Sequence, residues 1–437
     1  METERELSSP LAPDRAARLS DCSATGEAVH GYTQQRYGSE AALSFISQLK
    51  TNIPNDLVDE FLKRLTFVSE GLRNVQMLAD TNRVSFELRP GFEGQGEVVA
   101  SRIAEVAAKL CRSHSPGRVK TLRKKEKLPS DFCGDPHPLL LERRELNSFG
   151  RGRYGFGPML VALMDCFESQ ARRMAEALEA RPYIFPSLVG ADVLDRCRYL
   201  KNFPASLNLV SHLREDHALL QEFTRSGHWE GQRLVFDREA MSQVECLLSP
   251  SVCFHWYMWL RDQVLDQPRA ITANGKCFRY ESSNLSGLER MWDFTMREIV
   301  FVGPSRYVVS RRDNSVELSA RFLEDLGLAY EITTGSDPFF VDSYGVQAAY
   351  QQGFDLKFEL LVPLPYSGKK LAVGSINYHQ DFFGRSFGIG TPEGPAHTGC
   401  IGFGYERLAL AFLAQHGLDE AHWPQAVQDH VRSIKTF

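Results

Sequence analysis

Four side chains close together in the chain suggest what it could do: Arg279, Glu281, Phe294 and Glu298, within KCFRYESSNLSGLERMWDFTMREIVFVG from Lys276 to Gly303. The stretch reads as a strand, a polar loop and a second strand. Side chains alternate across a strand, so Arg279 and Glu281 are expected to share a face, and Phe294 and Glu298 likewise. A guanidinium, two carboxylates and a ring are costly to bury in an ordinary core. They suit a nucleotide, with Arg for a phosphate, Phe for a base, and carboxylates for amino groups or a metal. GFGYER, residues Gly402–Arg407, adds a second group of this kind. Its glycines allow close backbone approach, and Arg407 falls in the first turn of a helix, where a cation gains nothing from the helix dipole. An anionic ligand explains an arginine so placed, and so does a salt bridge to the sheet.

The surrounding pattern indicates what positions these groups. Pro158–Ala180 repeats apolar residues at helical spacing (Leu160, Leu163, Met164, Phe167, Ala171, Met174, Leu178), with Pro158 suited to a first turn. Tyr183–Val189 reads as a strand whose proline places it at an edge or interface. Further strands are expected at Ala270–Thr272, Lys276–Glu281, Phe294–Val302, Leu356–Pro363 and Lys370–His379. A helix over Tyr405–Gln415 should stop at Gly417. Strands joined by loops and hairpins imply a mainly antiparallel sheet flanked by helices, spanning residues 139–437. Ahead of it, residues 39–128 read as a small module. A helical pattern runs from Glu40 to about Ala79, through Leu43, Phe45, Ile46, Leu49, Leu57, Phe61, Leu65 and Leu72, broken at Pro54. Arg83–Leu88 then alternates as a strand, and Glu97–Cys111 is an amphipathic helix. Arg118–Lys127 (RVKTLRKKEK) reads as a solvated basic linker, and residues 1–38 as disordered.

The 437 residues fit one large catalytic domain and a smaller one, with an apolar fraction of 43% sufficient for a sizeable core. A net charge of −5 gives no general reason to bind nucleic acid or a membrane surface. No run is long enough to span a bilayer, and the N-terminus has no apolar signal core. Nine scattered cysteines without a CxxC pair suit reduced thiols in a cytoplasmic protein.

Two glycine motifs are set aside. Gly150, Gly152 and Gly155 match a dinucleotide fingerprint, but the preceding LERRELNSF is too charged for a buried parallel strand. Gly384, Ser386 and Gly388 match a nucleophile elbow, but Pro392 and Pro395 forbid the helix it needs afterwards.

The long helix with its proline-containing strand, the FRYE…F…E hairpin and GFGYER resemble, in order and separation, motifs 1, 2 and 3 of the class II aminoacyl-tRNA synthetases. The resemblance covers about Leu139 to Phe437. Within that class the chain resembles the seryl-tRNA synthetase branch, and most of all its truncated amino acid:[carrier protein] ligase homologues. The strings that carry this closer likeness are LLSPSVCFHWY, ERMWDFTMREIVFVG, DLKFELLVP, SINYHQDFFG and HTGCIGFGYERLALAFLAQHGLDEAHWP. The implied fold is α+β: a class II synthetase-like antiparallel β-sheet flanked by helices, with an additional small N-terminal α+β module.

The resemblance also implies roles. Arg279 would grip the α-phosphate and the amino acid carboxylate, Glu281 would lie near adenine or the loop backbone, and Phe294 would stack on adenine. Arg407 would lie on adenine's other face near the γ-phosphate, with Arg290 helping to hold the triphosphate. Relatives bind Zn2+ through Cys, Glu and Cys, matched here by Cys253, Glu298 and Cys400, with an open position for the substrate amino group. Cys277 is read as a packing residue. Glu359 is a candidate Mg2+ ligand, and Ser375, Asn377, His379 and Asp381 are candidate pocket residues. Motif 1 implies a homodimer. The implied reaction consumes ATP, activates a small amino acid (glycine, alanine or serine) as its adenylate, and transfers it to the phosphopantetheine thiol of a carrier protein. Serine transfer to tRNA is the rival reading, disfavoured because residues 40–127 lack the sustained heptads of a coiled-coil arm. A non-catalytic paralogue is a second rival, disfavoured by the intact motif residues.

Overall fold

The computed structural model describes residues 32–36, 43–78, 82–112, 119–231, 233–335 and 355–435. The N-terminal module is a four-stranded antiparallel sheet, β1 (Tyr32–Arg36), β2 (Leu43–Gln48), β3 (Leu72–Met77) and β4 (Arg83–Leu88), in the order β1-β2-β4-β3. Helices α1 (Val58–Leu65) and α2 (Gly96–Arg112) complete its core, in which Phe45, Phe61, Leu65, Phe86, Val99 and Ile103 are buried. Three expectations are corrected here. The expected disordered stretch contains β1, and the rest of it lies outside the described residues. Leu43–Gln48 is a strand rather than helix, because burial alternates through Phe45, Ser47 and Leu49. Ser47, polar but buried, donates to the Ala100 carbonyl at 3.3 Å and hides the alternation from a reading of apolar residues. Leu72 likewise opens a strand, which bulges next to Asn74 in the left-handed region (φ 46°).

The second unit is built on an eight-stranded sheet. Its strands are β5 (Thr121–Lys125), β6 (Arg181–Tyr183), β7 (Arg269–Phe278), β8 (Asp293–Gly303), β9 (Tyr330–Thr334), β10 (Lys357–Leu364), β11 (Lys369–Gln380) and β12 (His397–Gly404). The order is β5-β9-β10-β11-β12-β8-β7-β6, antiparallel except for the β6–β7 pair. This open antiparallel sheet excludes a dinucleotide fold around GRGRYG. The basic linker is also corrected: its described part forms edge strand β5, and residue 118 lies outside the described residues. Arg123 pairs with Glu317 and Lys124 with Glu126 at 2.5 Å. Charged side chains of this kind protect a sheet edge, so the composition of an edge strand resembles that of a linker.

One face of the sheet is covered by α4 (Pro158–Ala177), α6 (Ser305–Asp325), α7 (Tyr405–His416) and α8 (Gln425–Lys435), which enclose Ile299, Phe301, Ile401 and Phe403 in the main core, to which α3 (Pro136–Glu142) adds Leu140. Pro158 sits at the start of α4, and the Glu145 carboxylate accepts from the Met159 amide at 2.9 Å, satisfying an orphan first-turn donor. Helix α7 stops at Gly417, which takes φ 75°, as its sequence predicts. The expected strand over Tyr183–Val189 becomes two short pieces, β6 and Leu188–Gly190. The other face of the sheet is only partly covered, by α5 (Cys253–Trp259) and the short helix Phe382–Phe387 packed on Val300 and Val302.

Candidate active site

Strand register places the chemistry on the partly covered face. One row across the sheet runs Glu359, Ser375, Gly402, Glu298, Ala273 on β10, β11, β12, β8 and β7. The next runs Lys357, Asn377, Cys400, Val300. Met296 and Phe294 continue the Glu298 face along β8. The middle of this face is made of small residues, and a Cβ built at Gly404 would have no atom within 4 Å. Gly404 thus leaves open space above the sheet, shortly before Arg407 on α7.

Three guanidiniums border that space. Arg279 lies with its Cζ 5.3 Å from the centre of the Phe294 ring, and its Nε donates to the Pro250 carbonyl at 3.0 Å. Arg290 pairs with Glu281. Arg407 donates through Nε to the Glu289 carbonyl at 2.7 Å. Burial, then Arg290 and Arg279, push the Arg407 guanidinium down to about 10, with Glu281 and Glu359 opposing. Burial is the larger cause and the two neighbouring guanidiniums add to it, so a bound polyanion would favour the charged form of Arg407. The expected placement of Arg279 and Glu281 is corrected in detail: β7 ends at Phe278, so both lie in the loop, and Glu281 turns to Arg290 rather than sharing a strand face with Arg279. Glu359 pairs with Lys357 at 3.4 Å.

Beside the arginines the structure brings together Cys253, Glu298 and Cys400. The Cys253 amide donates to Glu298 Oε2 at 2.7 Å, and the Ser251 hydroxyl donates to both carboxylate oxygens at 3.2 and 3.1 Å. The Cys400 thiol lies against both Cys253 and Glu298. Among the described residues, however, no group of three or more His, Cys, Asp or Glu side chains is arranged as a metal cage. The three expected ligands meet, but Glu298 is engaged by backbone and hydroxyl donors. Their chemistry still fits a divalent cation. Burial raises the Glu298 carboxyl even against those donors, and the Cys253 contact followed by burial raises the Cys400 thiol well above its ordinary value. The Cys400 thiol and the Glu298 carboxyl, held out of water, favour their neutral forms, and a cation would reverse that preference.

The candidate pocket residues adjoin this cluster. The Asn377 amide donates to Ser375 Oγ at 3.1 Å and approaches Cys400 Sγ at 3.7 Å. His379 Nδ1 is 3.1 Å from Thr398 Oγ1, and its Nε2 is 3.9 Å from Cys400 Sγ. Asp381 lies beyond the strand and pairs with Arg385 at 2.7 Å. Cys277 is fully buried, its thiol pushed up by burial first, in keeping with a packing role.

Three supporting groups escaped the sequence reading. Ser251 supports Glu298, and nothing in its local pattern singles it out. Glu406, which is 1% exposed, accepts from the Thr295 amide at 2.8 and 2.9 Å and so orients the strand at Phe294. Glu168 of α4 sits behind the sheet, where it accepts from Arg297 Nε at 3.0 Å, Tyr405 at 2.6 Å, Asn274 at 3.2 Å and Arg172 at 2.7 Å. The Arg297 fork closes on its second oxygen. Arg297 precedes Glu298 on β8, and Tyr405 lies two residues before Arg407 on α7, so one carboxylate ties both motifs to the motif 1 helix.

Fold and site together define a class II synthetase-like protein, and comparison with known proteins agrees. The model of the tRNA synthetase class II core domain (G, H, P, S and T) matches residues 236–416. Amino acid–[acyl-carrier-protein] ligase 2 of Bradyrhizobium diazoefficiens is 36% identical over 252 residues, 56% of this chain and 72% of that protein. Ligase 1 of the same organism is 34% identical over 56% of this chain and 74% of its own length. Type-2 serine–tRNA ligase of Methanopyrus kandleri is 27% identical over 69% of this chain and 60% of its own length. Among solved structures, M. kandleri SerRS in complex with A. aeolicus tRNASec superposes with a TM-score of 0.66 at 22% identity, over 90% of this chain and 77% of that one, a likeness of fold. The chain belongs to the class II synthetase-like family of amino acid–[acyl-carrier-protein] ligases. Among the described residues, no helix is long and apolar enough to cross a membrane.

Proposed function

We propose that this chain uses ATP to activate a small amino acid, glycine, alanine or serine, and transfers it to the phosphopantetheine thiol of a carrier protein. The observation that carries the reading is the placement of three arginines around an open sheet face next to the Cys253–Glu298–Cys400 cluster. The amino acid carboxylate oxygen attacks the α-phosphorus, an O–P bond forms, and the bond to pyrophosphate breaks. Arg279 neutralises charge at the α-phosphate, while Arg407 and Arg290 hold the β- and γ-phosphates, and Glu359 would hold Mg2+, which would add positive charge there. Phe294 and Arg407 frame the adenine, and Glu281 keeps Arg290 oriented. Preorganised cations of this kind supply most of what such a displacement needs. Cys253, Glu298 and Cys400 would hold Zn2+, whose contribution when bound is to fix the substrate α-amino group in its neutral form. Ser375, Asn377 and His379 close the amino acid end and limit side-chain size. The thiol then attacks the mixed anhydride carbonyl, a thioester forms and AMP leaves.

A homodimer is part of the proposal. Ile184, Leu188 and Trp259 near the motif 1 strand are exposed, and these apolar side chains are the surface a second copy would cover. The described cysteines are free thiols, which suits a cytoplasmic location. The test is amino acid-dependent ATP–pyrophosphate exchange with zinc-loaded protein, followed by mass spectrometry of holo-carrier protein and bulk tRNA offered in parallel. Exchange with a small amino acid and loading of the carrier alone are expected. Exchange with no amino acid would refute the activity, and loading of tRNA alone would transfer the assignment to tRNA charging.

A further inference from the structure

The loop between β7 and β8 carries Arg279, Glu281 and Arg290, so its position sets where two of the three guanidiniums of the site can lie. The catalytic unit anchors it at several points, among them the Arg407 contact with the Glu289 carbonyl, the Tyr366 hydroxyl on the Glu289 carboxylate at 3.1 Å and the Tyr280 amide on the Ser206 carbonyl at 3.2 Å. The Trp292 amide donates to the Gly152 carbonyl at 2.9 Å, and Gly287, at φ 48°, sits so close to His137 that a Cβ would come within 2.8 Å of Nδ1. A further anchor comes from the N-terminal module. Asn284 Nδ2 donates to the Lys63 carbonyl at 3.3 Å and to Thr66 Oγ1 at 3.2 Å. Lys63 lies in the last turn of α1 and Thr66 is its C-cap, where helix carbonyls lack partners of their own. Thr66 Oγ1 donates in turn to the Lys63 carbonyl at 2.8 Å, which holds it ready to accept from Asn284. Helix α1 is firmly seated, since Phe61 and Leu65 are fully buried in the module core. A side chain of the nucleotide loop therefore completes the end of a helix in a separate folding unit.

We propose that Asn284 is a positioning residue through which the N-terminal module holds the β7–β8 loop, so that the module acts in cis on nucleotide binding by way of the Glu281–Arg290 pair. This assigns the module a task inside the chain, independent of any partner it docks. The kinetic part of the proposal rests on the function given above, and the structural part does not.

The test uses the full-length protein as Asn284→Ala, Asn284→Asp, Thr66→Val and the Asn284→Ala/Thr66→Val double variant. Hydrogen–deuterium exchange of residues 282–291 is followed without ligand, and KM for ATP and kcat are taken from pyrophosphate exchange. Loop amides should exchange several-fold faster in each variant. KM for ATP should rise about 3–10-fold with kcat within about two-fold, the loss expected of one hydrogen-bonded contact. The double variant should be no worse than Asn284→Ala, because both changes remove the same contact. Asn284→Asp should be the most affected, since it sets a carboxylate against the negative end of a helix. Wild-type exchange rates in residues 282–291 of Asn284→Ala would overturn the proposal, and so would an unchanged KM. If no amino acid supports pyrophosphate exchange in the wild type, the proposed function fails and the exchange rates alone decide whether the module holds the loop.

Discussion

Replacing Glu168 by alanine should cost the catalytic unit a large part of its stability. Burial pushes the Glu168 carboxyl up, but hydrogen bonds from Arg297, Tyr405 and Arg172 more than offset it and hold it below the usual carboxylate range. With the carboxylate gone, Arg297, whose side chain is 6% exposed, keeps Thr272 Oγ1 at 3.1 Å but loses its counter-charge, and Tyr405 and Asn274 lose an acceptor. Breaking a buried pair from one side costs about 3–5 kcal/mol. Against a whole-domain stability of about 5–15 kcal/mol that is a large fraction. With a urea slope of about 3 kcal/mol/M, the midpoint should fall by about 1–1.7 M. All five tryptophans lie between residues 229 and 423, outside the N-terminal module, so tryptophan fluorescence isolates the relevant transition. The Glu168→Met/Arg297→Met double variant should recover most of the loss, because a well-packed apolar pair avoids the uncompensated charge. A shift below about 0.3 M for Glu168→Ala, or a double variant as unstable as the single, would refute this account.

Other predictions concern the site itself. Gly404→Val places a side chain in the open space above the sheet, on extended backbone (φ −95°) that any residue adopts, so ATP binding should be lost while the thermal midpoint stays within a few degrees. A nucleotide affinity equal to wild type would place the ATP site elsewhere. Arg407→Ala removes one of three guanidiniums and should weaken ATP about 10–100-fold, the worth of a charge-assisted hydrogen bond, with a shallower salt dependence by calorimetry. Burial raises the Glu406 carboxyl, with Lys276 opposing. Its stabilising contribution is therefore fully present below the ordinary carboxylate range and lost as pH rises through the folded value. Relative to wild type, Glu406→Gln should gain stability between acid and neutral pH, and a pH-independent difference in urea midpoint would contradict this.

Much of this protein is legible in its sequence wherever local chemistry repeats. The α4 pattern from Pro158, the Gly417 stop, the hairpin on either side of residues 279–292 and GFGYER all follow from periodicity, backbone conformation and charge read along the chain. The reading fails where burial is decided by a partner distant in sequence. Leu43–Gln48 becomes a strand because β4 pairs with it and α2 accepts the Ser47 hydroxyl, and Thr121–Lys125 because β9 offers it an edge. Glu168 looks like one more helical carboxylate until Arg297, Asn274 and Tyr405 converge on it from three elements. Alternation within a single strand places Phe294 and Glu298 on one face without the fold. Only the register of β10, β11, β12, β8 and β7 sets Glu359, Ser375, Gly402 and Glu298 in one row and brings Cys253 and Cys400 to the same carboxylate. Sequence determines which side of a strand a residue takes because that depends on parity alone. Which strands lie side by side, and which loop closes a helix of the module, depends on contacts between residues far apart in the chain, 221 positions for Asn284 and Lys63, and these exist only in the folded chain.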